Sequence, residues 1–138
     1  MTRWLLLLFL LAPQPILAQT DPTAWLNAYR ADIGRAGLTR SAALDAAAEA
    51  HATDLAGQGR LSHQGRDGSD VTDRVRAQGV NACFVAENIA MGQSSDDRSF
   101  TDWANSPPHR RNMVHRRARQ FGFANAGTIR VLVLAAPC

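Results

Sequence analysis

Glu87 is the residue from which a chemical site in this chain of 138 residues can be built. It lies in the apolar segment VAENIAMG, where a carboxylate is costly to bury unless it is paired, hydrogen-bonded or bound to a cation. His63 in a loop and His109 at the start of a helix are its natural partners, because neither belongs to an apolar helical stripe. Two histidines and a glutamate form a zinc site with an open position, or two metal ligands with a carboxylate base. The sequence thus suggests His63 and His109 as ligands of zinc or another divalent cation, although their wide separation lacks the regularity of an HExxH motif.

Other polar residues have simpler interpretations. His51 falls on the apolar stripe of an alanine-rich helix, so we interpret it as a hydrogen-bonded helix histidine and not as a catalytic group. Asp67, Asp70 and Asp73 do not follow the spacing of an EF-hand loop, and we expect them to act as turn and cap residues.

Export is predicted by the first eighteen residues, which combine one arginine, a short apolar run and a polar turn before Ala18. We expect residues 1–18 to be a removable signal peptide and residues 19–138 to be a single domain, with no transmembrane segment. The product would be a monomer in the periplasm or the medium. In an oxidising compartment, Cys83 and Cys138 are most simply interpreted as one disulfide.

All fifteen basic residues of the chain are arginines, and the formal net charge is +3. His or Arg occupies seven of the eleven positions from His109 to Arg119. This stretch could meet an anionic polymer or lipid headgroups, but a solvated face after a helix is the interpretation we favour. No aromatic residues are interleaved for base stacking, so we expect no nucleic-acid partner.

The pattern along the chain predicts an α+β fold with three α-β-α layers and a small, mainly antiparallel sheet. Helical spacing and caps predict helices over residues 22–35, 41–58 and 70–78, and a further helix opening at Ser94 or Ser95. Residues 83–91 are expected to be extended. Ser106 is expected to cap a short helix that carries His109 in its first turn. The segments RQFGFANAG and TIRVLVLAAPC predict two strands joined by a turn at residues 125–127.

Five segments together resemble the bacterial branch of the CAP superfamily, the SCP-like extracellular domains related to cysteine-rich secretory proteins, antigen 5 and plant class 1 pathogenesis-related proteins. These segments are LNAYRADIGRAGL, LDAAAEAHATDLAGQGRLSH, DGSDVTDRVRAQG, AENIAMG and WANSPPHRRNMV. The resemblance implies an α-β-α sandwich with a cleft of histidines and acidic residues that binds divalent cations in some relatives. It places His63, Glu87 and His109 in that cleft. It also marks Trp103, Asn88 and Asn112 as motif positions, which we interpret as core packing and backbone hydrogen bonding.

Two positions depart from the pattern of the eukaryotic members. Ser106 stands where they carry a second glutamate, and the final strand lacks their late histidine. The cleft is reduced to three residues, which weakens the expected metal affinity.

Three hypotheses about function follow from these residues. The first is an exported binding module that holds a small lipid-like or anionic ligand, or a surface partner, beside His63, Glu87 and His109. The second is a zinc-assisted hydrolase in which Glu87 is the general base. The third is a purely structural network that pins the sheet to the helices.

Overall fold

A computed structural model describes residues 19–138 of the chain, and the predicted signal peptide, residues 1–18, lies outside them. The described residues form five helices and four strands. In chain order these are α1 Pro22–Asp32, β1 Thr39–Arg40, α2 Ala42–Gln58, α3 Val71–Ala77, β2 Ala82–Met91, α4 Asp96–Asn105, α5 Pro107–Met113, β3 Gln120–Ala126 and β4 Ile129–Pro137. No helix in this part of the chain has the length and hydropathy that spanning a bilayer requires.

The helices α1 to α4 begin where a side chain accepts from one of their first backbone N–H groups. The Asp21 carboxylate accepts from the N–H of Ala24 at the start of α1, and the Ser41 hydroxyl accepts from Leu44 at the start of α2. Asp70 and Asp73 form a reciprocal capping box at α3. Such caps satisfy backbone donors that would otherwise lack a partner.

The four strands form one sheet in the order β1-β3-β4-β2. The pairs β2–β4 and β3–β4 are antiparallel, whereas β1 runs parallel to β3. The predicted α+β fold with a mainly antiparallel sheet is confirmed. The two-residue strand β1 was not predicted, and the β3–β4 turn lies at Gly127 and Thr128, slightly later than expected.

Both faces of the sheet are covered by helices, as β4 shows most clearly. Its residues Leu132 and Leu134 pack into a core with residues of α1, α4 and α5, while Val131 and Val133 pack into a second core with α2 and α3. Apolar residues therefore succeed one another along β4, as expected of a strand buried on both faces. Gly122 of β3 permits α2 to approach the sheet closely, because a Cβ atom there would lie 2.0 Å from the carbonyl carbon of Leu44.

The predicted disulfide between Cys83 and Cys138 is present. It joins the start of β2 to the residue after β4, where the backbone N–H of Cys138 also donates to the carbonyl of Asn81. The bond therefore fastens the C-terminal end of the central strand β4 to β2, the outer strand that carries Glu87.

Candidate functional site

Glu87 lies in β2 with only 2% of its side chain exposed, and both of its carboxylate oxygens have partners. His63 Nδ1 lies 2.8 Å from Oε1, and Arg74 Nη2 lies 2.8 Å from Oε2. The need for a partner was predicted from the apolar surroundings of Glu87. The structure meets it with a cation on one oxygen and an imidazole on the other.

Arg74 is the residue of this network that sequence reasoning missed. Its guanidinium also donates to the carbonyl oxygens of Ser69, at 2.8 Å, and His63, at 3.1 Å. Arg74 thereby holds the loop that carries His63 against α3. The sequence signal is weak: Arg74 lies one helical turn after Val71, on the apolar face of α3, but this spacing does not show that the side chain turns inward.

His51 of α2 extends the network from inside the core. Its side chain is fully buried, its Nε2 lies 2.8 Å from the carbonyl oxygen of Ser62, and the same nitrogen is 3.7 Å from Glu87 Oε1. Nε2 therefore carries a proton and donates to the carbonyl. Burial lowers the pKa of His51, although the charge of Glu87 opposes this effect. His51 is a neutral, hydrogen-bonded helix histidine.

His63 is the exposed member of the network, with 62% of its side chain accessible to solvent. Its hydrogen bond to Glu87 raises its pKa, while burial and the charge of Arg74 act in the opposite direction. Because the carboxylate can only accept, Nδ1 donates the proton in this bond. This leaves Nε2 of His63 as the nitrogen directed away from Glu87.

His109 stands in the first turn of α5, and its Nδ1 lies 2.8 Å from the hydroxyl oxygen of Ser106. Ser106 occupies the N-cap position, but its side chain makes no cap bond to the backbone. The Ser106 hydroxyl therefore bonds to the His109 ring in place of the expected cap. Pro107 and Pro108 have no N–H, so the first backbone N–H of α5 that a cap could use is that of His109, and Ser106 does not bond to it. Burial lowers the pKa of His109, and the charge of His63 adds to this effect.

Two asparagines fasten α5 to the outer strand. Asn88 Nδ2 donates to the carbonyl of His109 at 3.1 Å, and Asn112 Nδ2 donates to the Asn88 side chain at 2.9 Å and to the carbonyl of Glu87 at 3.2 Å. The buried Trp103 ring likewise donates to the Ile89 carbonyl. These residues have the packing and backbone-bonding positions that the sequence suggested. The result is that His109 is held beside β2, although it makes no direct contact with the Glu87 carboxylate.

We call the space beside His63, Glu87 and His109 the cleft, and the donors that it could offer a cation are two imidazoles. Nδ1 of His63 bonds to Glu87 and Nδ1 of His109 bonds to Ser106, which fixes both rings and leaves Nε2 on each. Glu87 is already neutralised by Arg74, so it orients His63 and does not supply a ligand of its own. Among residues 19–138, no group of three or more His, Cys, Asp or Glu side chains is arranged to hold a metal ion. The residues fit at most a two-ligand site.

A cavity of about 800 Å³ lies between α2, α3 and the loop joining them. It is lined by His51 and Arg74 and by three carboxylates, Asp54, Asp67 and Asp73. His63, Glu87 and His109 do not line it. His51 and Arg74 line this cavity and also contact Glu87, so the cavity adjoins the Glu87 network from the side of α2 and α3.

Comparison with known sequences places these observations in a family. The model of the cysteine-rich secretory protein family, CAP, matches residues 24–128. The uncharacterized protein YkwD of Bacillus subtilis (strain 168) is 27% identical over 121 residues, which cover 86% of this chain and 47% of that protein. The chain therefore spans about half the length of this relative.

Solved structures share the fold. An extracellular protein containing a SCP domain from Bacillus anthracis str. Ames aligns with a TM-score of 0.78 and 21% identity, over 80% of this chain and 37% of the other. An outer surface protein from Borrelia burgdorferi aligns with a TM-score of 0.75 and 20% identity, over 84% of this chain and 90% of the other. At these identities the likeness establishes the fold and not the activity.

Proposed function

The chain belongs to the cysteine-rich secretory protein (CAP) family, and we propose that it is an exported binding module that captures a small ligand between His63 and His109. Export is supported by the signal-peptide pattern of residues 1–18 and by the disulfide between Cys83 and Cys138. Similar structures are described as an extracellular protein and an outer surface protein. The mature domain, residues 19–138, would act in the periplasm or the medium.

The hydrogen bonds of Glu87 are the observation that favours a binding function over hydrolysis. A general base needs an oxygen free to take a proton from water, and both Glu87 oxygens are held by His63 and Arg74. The side chain is also almost completely buried. The carboxylate is therefore suited to orient the His63 ring and poorly suited to act on water. This argues against the alternative of a zinc-assisted hydrolase with Glu87 as base.

The pair formed by Ser106 and His109 does not make a nucleophile site. Acyl transfer needs N–H donors around the position of the substrate's carbonyl oxygen, because the negative charge develops on that oxygen. The two residues after Ser106 are Pro107 and Pro108, which have none. The contact between the hydroxyl and Nδ1 is better suited to fixing the imidazole.

A divalent cation is the first occupant we propose for the cleft, held by Nε2 of His63 and Nε2 of His109. Two neutral ligands leave most of a cation's charge and coordination positions unsatisfied. An anionic ligand, or the anionic head of a lipid-like ligand, would complete the set. A bound cation would supply charge that recruits such a group.

Calorimetric titration of the metal-stripped protein with zinc at pH 7.5 tests this proposal. We expect saturable binding close to one equivalent, lost in His63→Ala and in His109→Ala because each removes half of the protein ligands. His115→Ala is the matched control, since His115 stacks on Phe84 away from the cleft. Absence of zinc binding in the unsubstituted protein would contradict the proposal that a divalent cation occupies the cleft. Equal loss in the His115 variant would show that zinc binds histidines without regard to position.

A purely structural role for the network remains the competing hypothesis, and the buried Arg74–Glu87 contact is the observation that favours it. Under that hypothesis, His63→Ala would lower the melting temperature and leave zinc binding unchanged. Under ours, zinc binding would be lost even where the melting temperature is preserved. Thermal unfolding of the same variants therefore separates the two.

A further inference from the structure

We propose that an arginine-lined groove at the α1, α4 and α5 ends, defined by Arg35, Arg110 and Arg111, binds a linear polymer that carries phosphate groups. The groove encloses about 460 Å³, and its other lining residues are uncharged. It is distinct from the cleft, because α5 presents His109 and Asn112 to β2 and presents Arg110 and Arg111 to the groove. The proposal does not depend on what the cleft binds.

Charge separation is the first observation behind this proposal. Residues 103–138 contain six arginines and no aspartate or glutamate. Arg130 alone among these six pairs with a described carboxylate, that of Asp96. The remaining five are Arg110, Arg111, Arg116, Arg117 and Arg119. In the described part of the chain, neither these five nor Arg35 forms an ion pair. A concentrated positive field of this kind attracts polyanions.

The groove is built on a fixed backbone. Arg30 is buried, and its guanidinium donates to the carbonyls of Met113, at 2.7 Å, and His115, at 3.3 Å. Arg35 Nε donates to the Val114 carbonyl at 3.1 Å. These bonds anchor the end of α5 to α1. They also use only Nε of Arg35, so its two terminal nitrogens stay available to a ligand.

Arginine favours phosphate as the anionic group. The guanidinium forms two parallel hydrogen bonds to a phosphate, and it keeps its charge throughout the physiological pH range. Three guanidinium groups around one concave surface can meet successive phosphates of a chain. The charges of Arg35 and Arg119 both lower the pKa of Arg30, after the larger effect of its burial, which indicates that Arg119 also lies close to this end of α1. The positive surface thus continues past the groove.

A polymer fits this surface better than a bilayer does. Stable membrane docking adds insertion of apolar side chains to the electrostatic attraction. Among the described residues, the exposed large apolar side chains are Leu61 and Met91, and neither lines the groove. The neutral residues that do line it, such as Ile33 and Val114, are half-buried and recessed. Nothing in the groove is therefore available to insert into a membrane.

The test measures binding of inorganic polyphosphate of defined length by the full protein, with Arg110→Gln/Arg111→Gln as the variant. Arg60→Gln/Arg76→Gln is the control, since it removes the same charge from exposed positions outside the groove. We expect the groove variant to lose about tenfold or more in affinity. The slope of log affinity against log salt should fall by about two. The control should change affinity less than about twofold.

Four results would overturn the proposal. Equal losses in the groove variant and the control would show attraction by net charge alone. Tighter binding to phosphatidylglycerol vesicles than to polyphosphate would make the surface a membrane contact. Lack of polyphosphate binding at low salt would remove the polymer altogether. Orthophosphate is the reference ligand with a single phosphate group. We expect it to bind at least tenfold more weakly than the polymer, because it can contact the groove through one phosphate only. Equal affinity for the two ligands would likewise contradict a polymer site.

Discussion

Arg74 and Arg117 carry the same guanidinium group in opposite surroundings. Arg74 is 8% exposed, and its Nη2 lies 2.8 Å from a carboxylate oxygen of the buried Glu87. Arg117 is exposed, has its Cζ atom 5.8 Å from the centre of the Phe84 ring, and donates to the carbonyl of Cys83. The first arginine belongs to a buried ion pair, whereas the second has no carboxylate partner among the described residues.

Solvent explains why the two regions differ. A charge taken out of water must be compensated by an opposite charge and by hydrogen bonds, so Glu87 collects partners from α3 and from the loop after α2. A charge that stays in water needs no such compensation and contributes little to stability. The buried network therefore fixes the structure around the cleft, while the exposed arginines retain charge for an external partner.

Removing Arg74 should produce the largest effect. Arg74→Met keeps the apolar stem but leaves the Glu87 carboxylate buried without its cation. We expect the free energy of unfolding to fall by about 3–5 kcal/mol, the range found when one partner of a buried pair is lost. Urea unfolding followed by circular dichroism measures it.

The matching variant neutralises the carboxylate as well. Arg74→Met/Glu87→Gln should be more stable than Arg74→Met alone, since an uncharged amide is less costly to bury than an unpaired carboxylate. A loss below about 1 kcal/mol for Arg74→Met, on the scale of exposed pairs, would contradict the comparison.

The fold could be predicted from the sequence to the extent that local signals specify it. Ser41 before the alanine-rich segment and Gly59 after it mark the ends of α2, and the apolar run after Thr128 predicts the central strand. The strand at Thr39 and Arg40 could not be predicted. Two residues are too few to show the alternation of apolar and polar side chains that predicts a strand. This strand is defined by its parallel pairing with β3.

The candidate site shows the limit of sequence reasoning more sharply. The apolar surroundings of Glu87 imply that it has partners, and the family resemblance points to His63. Nothing in a single sequence tells where the long side chain of Arg74 ends, because an arginine on an apolar helical face can extend to solvent or turn inward. The bond between Ser106 and His109 was also missed. At an N-cap, a serine is expected to bond to the backbone, and the sequence contains no sign that the Ser106 hydroxyl bonds to the His109 ring in its place.

The pH dependence of His63 is the second test, with a smaller effect. Its pKa in the folded protein is raised, first by the bond to Glu87, while Arg74 opposes the shift. A raised pKa means that the contribution to stability is complete below the unfolded pKa of about 6.5 and is lost as pH rises through the folded value. The stability difference between the unsubstituted protein and His63→Gln should therefore be largest near pH 6 and shrink toward pH 9. Because His63 is mostly exposed, we expect this stability difference to stay below about 1 kcal/mol.

His115→Gln supplies a control of opposite sign. The pKa of His115 is lowered, first by burial and then by the charges of Arg117 and Arg30. Its contribution should therefore grow as pH rises through the lowered value toward about 6.5. Urea unfolding of His63→Gln at pH 6 and 9, and of His115→Gln at about pH 4.5 and 7, measures the two slopes. Slopes of the same sign would show that the Glu87 bond does not govern His63.

Substitution of Arg117 should have the smallest effect, and it sharpens the contrast most directly. Arg117→Gln removes an exposed charge over the Phe84 ring, which contributes about 0.5–1 kcal/mol at such sites. Arg117→Lys should retain most of that contribution, since an ammonium group still faces the ring. The measurement is urea unfolding under the conditions used for Arg74→Met.

The losses in free energy of unfolding for Arg117→Gln and Arg74→Met, compared with each other, show whether the exposed arginines stabilise the fold. If Arg117→Gln costs only a small fraction of what Arg74→Met costs, the charge of Arg117 does not hold the fold together and is available to a partner. A loss above about 2 kcal/mol, well beyond the range for an exposed cation over a ring, would place Arg117 among the structural residues. The basic stretch after α5 would then be held in place by its own contacts to Cys83 and Phe84. Polyanion binding would then depend on Arg35, Arg110 and Arg111 of the groove alone.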